Sequence, residues 1–264
     1  MERAPLAKLT DLSGKTAIVT GGAMGIGEGI AYRLAEAGAN VLIADMNGDA
    51  ATKTAETLSA AGRRVAAVRA DVSSAADVEE MVAMAVQRFG GIDILVNNAG
   101  IYPSIPLMRL RESDFENILA VNLKGVFLCT QAAAKRMIDT GTGGNIINIT
   151  SIDAIHPSAV GLATYDATKH AVWGFTKNTA LELAPHNIRV NAIAPGGINT
   201  PGTGAGVTAN TGATDEMTSF LEKIPMRRMG EPDDIGTVAL FLASGLSGYM
   251  TGVQIVVDGG VLLA

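Results

Sequence analysis

The stretch Lys15-Thr-Ala-Ile-Val-Thr-Gly-Gly-Ala-Met-Gly-Ile-Gly27, running on into Glu28 to Ala37, decides the fold. Lys15 to Thr20 is a short β-branched run closed by glycines, the pattern of a buried strand. Gly21 to Gly27 turns the chain, and Ile26, Ile30 and Leu34 then recur every four residues, so a helix follows. Strand, glycine turn and helix together make an anion site. The first N–H groups of the helix have no partners within it, and the helix dipole adds positive character there. A Cβ would keep a pyrophosphate away from that backbone, hence the glycines. Their spacing, Gly21, Gly25 and Gly27, is G-x-x-x-G-x-G and not the dinucleotide fingerprint G-x-G-x-x-G.

Outward from this unit the alternation repeats. Asn40 to Asp45 reads as the second strand, and Gly48 to Ala61 as a helix stopped by Gly62. Arg64 to Asp71 is a third strand and Ser74 to Phe89 a third helix, with Ser73 or Ser74 as N-cap and Asp77 beyond it. Gly91 to Asn97 is a fourth strand. Glu112 to Thr140 reads as one long helix, with Lys124-Gly125 as the place for a break. Asn145 to Thr150 is a fifth strand, Ala163 to Leu183 a helix, and Ile188 to Ala194 a sixth strand ended by Pro195-Gly196-Gly197. Asp215 to Lys223 and Asp233 to Ala243 read as helices and Gln254 to Val257 as a last strand. Short strands alternating with helices predict an α/β fold, a doubly wound parallel sheet with helices on both faces. No linker or repeat divides the chain, so residues 1–264 are expected to form a single dinucleotide-binding and catalytic domain. The Gly/Thr-rich run inside 201–224 is expected to be a mobile substrate lid.

Composition narrows the functions. The charge of −6 is spread along the chain without a basic block, so no nucleic-acid partner is expected. The single cysteine, Cys129, excludes an internal disulfide and a multi-cysteine metal site, and its apolar setting suits a core residue. His156, His170 and His186 match no ligand spacing, so no metal is expected. Met1 to Gly14 lacks the apolar core of a signal peptide, and no run is apolar enough to span a membrane. A cytoplasmic protein is the expectation.

Two further features carry chemistry. Tyr165 and Lys169 stand four apart on a predicted helix, hence on one face. A cation near a phenol stabilises phenolate, lowers the tyrosine pKa and suits it to acid–base work. Asp45 ends the second strand eighteen residues after Gly27, where a carboxylate can accept from an adenosine ribose. It would repel a 2′-phosphate at ~4 Å by roughly 1–4 kcal/mol. Gly22, Ala23, Met24 and Met46 offer no compensating positive charge, so NAD is expected over NADP.

Thr20 to Gly27, Asn97-Asn-Ala-Gly100, Asn122, Ser151 with Tyr165-x-x-x-Lys169, and Pro195-Gly196 occur in the order found in the short-chain dehydrogenase/reductase family. The chain resembles that family from about Leu12 to Gly260. The resemblance implies a Rossmann-type sheet of about seven strands and a nicotinamide cofactor. It implies that Tyr165 is the general acid/base, that Lys169 tunes it and holds the nicotinamide ribose, and that Ser151 bonds the reacting oxygen. Asn122 would anchor a water relay to the lysine. Gly21, Met24, Gly25, Ile26, Gly27, Asp45, Asp71, Val72, Asn98, Ala99, Gly100, Pro195, Gly196, Ile198 and Thr200 would join Tyr165 and Lys169 in holding the cofactor. A homotetramer is implied, with a dimer as the less frequent form.

The Ser151–Tyr165 separation of fourteen is one residue longer than the commoner family spacing, which leaves Ser158 as an outside alternative to Ser151. In the same loop, Asp153-Ala-Ile-His156 raises a substrate contact for His156 against a bland exposed histidine. Pocket walls are expected from Ile101 to Ile105, Ile152 to Leu162 and Gly202 to Phe220, apolar and without an arginine clamp. The expected reaction is NAD-linked interconversion of a secondary alcohol and a ketone: a polyol, sugar, cyclic alcohol or keto ester. Two rivals are an NADPH-dependent 3-oxoacyl-carrier-protein reductase and a non-catalytic nicotinamide-binding sensor. Enoyl reductases of the family space Tyr and Lys more widely than the three intervening residues found here.

Overall fold

The structure, a computed structural model, describes residues 3–203 and 221–264. Seven strands form one parallel sheet in the order β3-β2-β1-β4-β5-β6-β7. They are β1 (Thr16–Thr20), β2 (Asn40–Asp45), β3 (Val65–Arg69), β4 (Ile94–Asn97), β5 (Gly144–Ile149), β6 (Ile188–Pro195) and β7 (Gln254–Val257). After a short α1 (Leu6–Thr10), the main helices are α2 (Gly25–Glu36), α3 (Gly48–Ala60), α4 (Ala75–Phe89), α5 (Glu112–Leu119), α6 (Gly125–Thr140), α7 (Ala163–Leu183) and α8 (Pro232–Ala243).

Strand side chains alternate between two cores. Ala17, Val19, Val41, Ile43, Ile94 and Val96 pack with α2, α3 and α8 on one face. Ile18, Leu42, Leu95 and Ile146 pack with α4, α6 and α7 on the other. Burial on both faces is why these strands read as continuous apolar runs without alternation. Connections from β1 run to β2 and β3 on one side, then return to β4 on the other. The β1/β4 boundary is therefore a topological switch point, where ligands of such sheets bind.

Most strands and helices lie within a residue or two of their expected bounds, though β4 begins three residues later than expected, at Ile94, and α2 three residues earlier, at Gly25; Ser74 caps α4 by accepting from Asp77 N at 3.3 Å. The long helix over 112–140 differs in its interior. A π-helical turn over Ala120–Lys124 joins α5 to α6, and the helix does not break at Gly125, whose φ is −58°. Gly125 serves packing, since a Cβ there would lie 2.7 Å from Val72 Cγ2. The expected lid and the Asp215 to Lys223 helix lie mostly outside the described residues, as do Met217 and Phe220.

Candidate active site

The C-terminal ends of β1 and β4 are tied together. Thr20 Oγ1 accepts from Asn98 N (3.0 Å) and Ala99 N (3.1 Å), while Asn98 Nδ2 donates to the carbonyls of Thr20 (3.0 Å) and Gly21 (2.8 Å). These bonds hold the glycine turn against the sheet edge. Gly21 and Gly25 take φ of 60° and 57°, a region open to glycine at little strain. A Cβ on Gly27 would collide with the Gly21 carbonyl and stand 2.6 Å from Asn98 Nδ2, so the turn accepts no side chain there. Beyond it α2 starts with Met24 as N-cap and no side chain accepting from its first N–H groups. An uncapped helix start framed by glycines at a cavity wall fits the pyrophosphate of a dinucleotide.

One cavity of about 510 Å³ runs along this edge. Gly21, Met24, Gly25, Ile26, Gly27, Asp45, Asp71, Val72, Asn98, Ala99, Gly100, Pro195, Gly196, Ile198 and Thr200 all line it. Ser151, Tyr165 and Lys169 line it too, so the expected cofactor cradle and the expected reacting groups share one space. Asp45 Oδ1 accepts from Asn47 N (3.0 Å) and Oδ2 from Ala23 N (3.1 Å). It thus caps the turn after β2 and ties that turn to the glycine loop, with acceptor capacity left for a hydroxyl. Asp71 Oδ1 accepts from Ser73 N (2.9 Å) and Ser73 Oγ (2.7 Å), which shapes the chain after β3.

Asn122 alone among the expected site residues does not line the cavity. It is fully buried in the π-helical turn, where Oδ1 accepts from Ile101 N and Nδ2 donates to Ile101 O, both at 2.8 Å. Its side chain clamps the extended segment that follows Gly100. Lys169, also buried, donates from Nζ to the Ile149 carbonyl at 2.8 Å and lies 5.5 Å from the centre of the Tyr165 ring. The Tyr102 ring meets Tyr165 edge-on at 6.1 Å.

The electrostatics correct one expectation. Burial pushes Lys169 down to about 8. Tyr165 is held above the ordinary phenol range, first by burial and then by the charges of Asp153, Tyr102 and Asp166, with only the Ser151 hydroxyl opposing. The protein's own groups therefore do not lower the phenol pKa as the Tyr–Lys spacing suggests. Desolvation in this pocket dominates, and the same burial lowers the Lys169 pKa.

Ser158 and His156 are exposed and neither lines the cavity. His156 Nδ1 stands 3.0 Å from the Pro157 carbonyl. Thr150, which also lines the cavity, has its Oγ1 2.8 Å from both Ile193 O and Gln254 Oε1. The residue that sequence reasoning missed is Asp153. It is 6 % exposed, lines the cavity, and accepts the Ser151 hydroxyl at Oδ2 (2.7 Å) and Ser158 N at Oδ1 (2.8 Å). The signal was present as a carboxylate two residues after the serine, the spacing at which a short side chain reaches a neighbouring turn.

A family model described as "Enoyl-(Acyl carrier protein) reductase" matches residues 21–262. The chain is 41% identical over 249 residues to 2,5-dichloro-2,5-cyclohexadiene-1,4-diol dehydrogenase LinX of Sphingobium indicum, covering 94% of this chain and 96% of that one. It is also 41% identical over 250 residues to 3-oxoacyl-[acyl-carrier-protein] reductase FabG of Staphylococcus epidermidis, covering 94% and 99%. Among solved structures, a gluconate 5-dehydrogenase from Burkholderia cenocepacia in complex with NADP and tartrate superposes with a TM-score of 0.90 at 36% identity, covering 98% of this chain and all of that one. With a sheet, a glycine turn and a Ser–Tyr–Lys cavity of this kind, and relatives matched along nearly their whole length, the chain belongs to the short-chain dehydrogenase/reductase family of oxidoreductases, whose members bind a nicotinamide cofactor.

Proposed function

We propose that the protein interconverts a secondary alcohol and a ketone with NAD(H), using Tyr165 as general acid/base. One observation carries this reading: Ser151, Tyr165 and Lys169 line the same cavity as the glycine turn and Asp45. The bound cofactor supplies the hydride acceptor or donor at its nicotinamide carbon. In the oxidising direction, the Tyr165 phenolate takes the hydroxyl proton while Ser151 holds the reacting oxygen. In the reducing direction Tyr165 donates. The positive charge of the oxidised nicotinamide ring would favour the phenolate that the buried site alone disfavours, and Lys169, its ammonium fixed on the Ile149 carbonyl, lines the same cavity and would hold the ribose hydroxyls. Asn122 acts by holding the Ile101 backbone beside Gly100. Proton transfer of this kind contributes roughly 10²- to 10⁴-fold, and positioning supplies much of the remainder.

NAD is favoured by Asp45 at the cavity wall and by the absence of any basic lining residue other than Lys169 among the described residues. Arg69, the register partner of Asp45 on β3, does not line the cavity. A second reading, an NADPH-dependent 3-oxoacyl-carrier-protein reductase, draws on the likeness to FabG and on the NADP in the gluconate dehydrogenase structure. The spacing of Tyr165 and Lys169 favours carbonyl over enoyl chemistry within either reading. The substrate is taken to be a neutral polyol, sugar, cyclic alcohol or keto ester, and the working form a cytoplasmic homotetramer. Among the described residues no helix is long and apolar enough to cross a membrane.

The test is turnover of matched alcohol–ketone pairs (cyclohexanol with cyclohexanone, isopropanol with acetone, glycerol with dihydroxyacetone, a hydroxy ester with its keto ester), each with NAD and with NADP. NAD-linked turnover of one pair is the expected result. Exclusive NADPH-linked reduction of an acyl-thioester would support the second reading.

A further inference from the structure

Asp153 stands in the cavity wall with more hydrogen-bonding capacity than the protein uses. A carboxylate has about four acceptor positions on its two oxygens. Among the described residues two donors reach it: the Ser151 hydroxyl at Oδ2 (2.7 Å) and Ser158 N at Oδ1 (2.8 Å). Among the same residues no Lys, Arg or His forms an ion pair with it, and Lys169 Nζ bonds the Ile149 carbonyl instead. The residue is only 6 % exposed, so acceptor positions that no protein donor fills are costly until a ligand or water fills them. The count does not depend on the Ser151 proton. If that hydroxyl turns from Asp153 toward the reacting oxygen, the carboxylate gains one more open position.

Distance from Ser151 decides which part of a substrate reaches Asp153. An oxygen hydrogen-bonded to Ser151 Oγ lies roughly 4–5 Å from Asp153 Oδ2 at ordinary bond lengths and angles. That is too far for the reacting oxygen itself, and within reach of a hydroxyl on the carbon beside it. We infer that Asp153 is a specificity-determining residue that accepts from a second substrate hydroxyl, next to the reacting carbon, so that the site takes vicinal diols, polyols and sugars in preference to simple alcohols and hydroxy acids. A simple alcohol sets hydrocarbon against the open positions and removes their water without replacing it. A carboxylate on the neighbouring carbon has no proton to give and meets like charge. The second hydroxyl is unchanged by the reaction, so the same contact serves the hydroxyketone in the reducing direction. The inference rests on the alcohol–ketone reading above and names the substrate class within it.

The test compares propane-1,2-diol with isopropanol, both isomers of cyclohexane-1,2-diol with cyclohexanol, and hydroxyacetone with acetone, with lactate as the hydroxy acid. In the native enzyme kcat/KM for the dihydroxy compound should exceed that for its partner by about tenfold or more, and lactate should be the poorest alcohol substrate. In Asp153→Ala the diol-to-alcohol ratio should fall by about tenfold, equivalent to about 1.4 kcal/mol. Any change in Ser151 placement acts on both substrates and cancels in the ratio. In Asp153→Asn lactate should gain about tenfold on propane-1,2-diol as the like charge is removed. A native ratio near or below one, or a ratio that Asp153→Ala leaves unchanged, would overturn the inference and leave the alcohol–ketone reading standing. The first of these is read on the native protein and needs no variant to fold. Absence of turnover of every alcohol and ketone by the native enzyme would remove both.

Discussion

Lys169 lines the cavity at some expense to the fold, whereas Asp45 lines it while tying the glycine loop to the turn after β2. The Lys169 ammonium sits in a buried position, with its pKa pushed down from 10.5 to about 8 by desolvation. The sign of the linkage follows. Below about 8 both folded and unfolded chains carry the proton, and the full desolvation penalty is present. Between about 8 and about 10.5 the unfolded chain holds more protons, so stability rises with pH across that window. Cys129 and Tyr165, both held above their ordinary values by burial, oppose this rise from about pH 9 upward, so the Lys169 contribution is read as the difference between native and Lys169→Met proteins in denaturant titrations at several pH values. Curves for the two proteins that run parallel across the window would contradict the burial account. At Asp45 the expectation concerns cofactor choice. Asp45→Ala should raise the NADP-to-NAD ratio of kcat/KM, by roughly tenfold for each 1.4 kcal/mol of repulsion removed. Because Asp45 also accepts from Ala23 N and Asn47 N, some loss with both cofactors should accompany the shift. An unchanged ratio would assign Asp45 to turn capping alone.

Elements were legible from sequence where their pattern is local, and obscure where it depends on a distant partner. The strands were readable because both faces of the sheet are buried, which forces continuous apolar runs. The α4 cap was readable because Ser74 and Asp77 answer each other three residues apart. The α7 helix is different. Its buried stripe is Thr164, Thr168, Val172, Thr176 and Ala180, largely polar, so apolar periodicity is weak. Thr168 and Thr176 donate within the helix, to the Tyr165 and Val172 carbonyls, and accept from residues distant in the chain. Thr176 Oγ1 takes Asn148 Nδ2 at 2.9 Å, and Asn148 Oδ1 takes Asn97 Nδ2 at 2.8 Å, a polar ladder from β4 through β5 to α7 beneath the site. The π-helical turn at Asn122 is likewise set by the Ile101 backbone, twenty-one residues away. Gly125 gives the clearest element-scale prediction. As a mere helix weakness, Gly125→Ala would stabilise by up to about 1 kcal/mol. As a close-packed contact, the new Cβ meets Val72 Cγ2 at 2.7 Å, and the variant should lose roughly 1–3 kcal/mol and bind cofactor more weakly, because Val72 lines the cavity. Thermal or denaturant melts decide between the two signs.

At the scale of the whole molecule, residues from the ends of β1 to β6 and from α7 meet on one sheet edge although they span Gly21 to Thr203 in the chain. The order of motifs made that meeting legible, since a parallel sheet puts every strand's C-terminal end on the same side. The balance of charges inside the finished cavity was not legible. Asp153 becomes part of the site only after the chain has turned back under Ser158, and burial of the Tyr165 phenol is a property of the packed molecule. The expected cofactor cradle and the proposed acid–base group are held by different elements, the first by the β1, β2 and β4 ends and the second by α7. The two functions should therefore separate on mutation. Tyr165→Phe removes only a hydroxyl and tests this most directly, with NADH binding and turnover measured on the same preparation. The account predicts cofactor binding within a few-fold of native together with loss of turnover by roughly 10²-fold or more. A Tyr165→Phe protein that retains most of its alcohol–ketone turnover would contradict it.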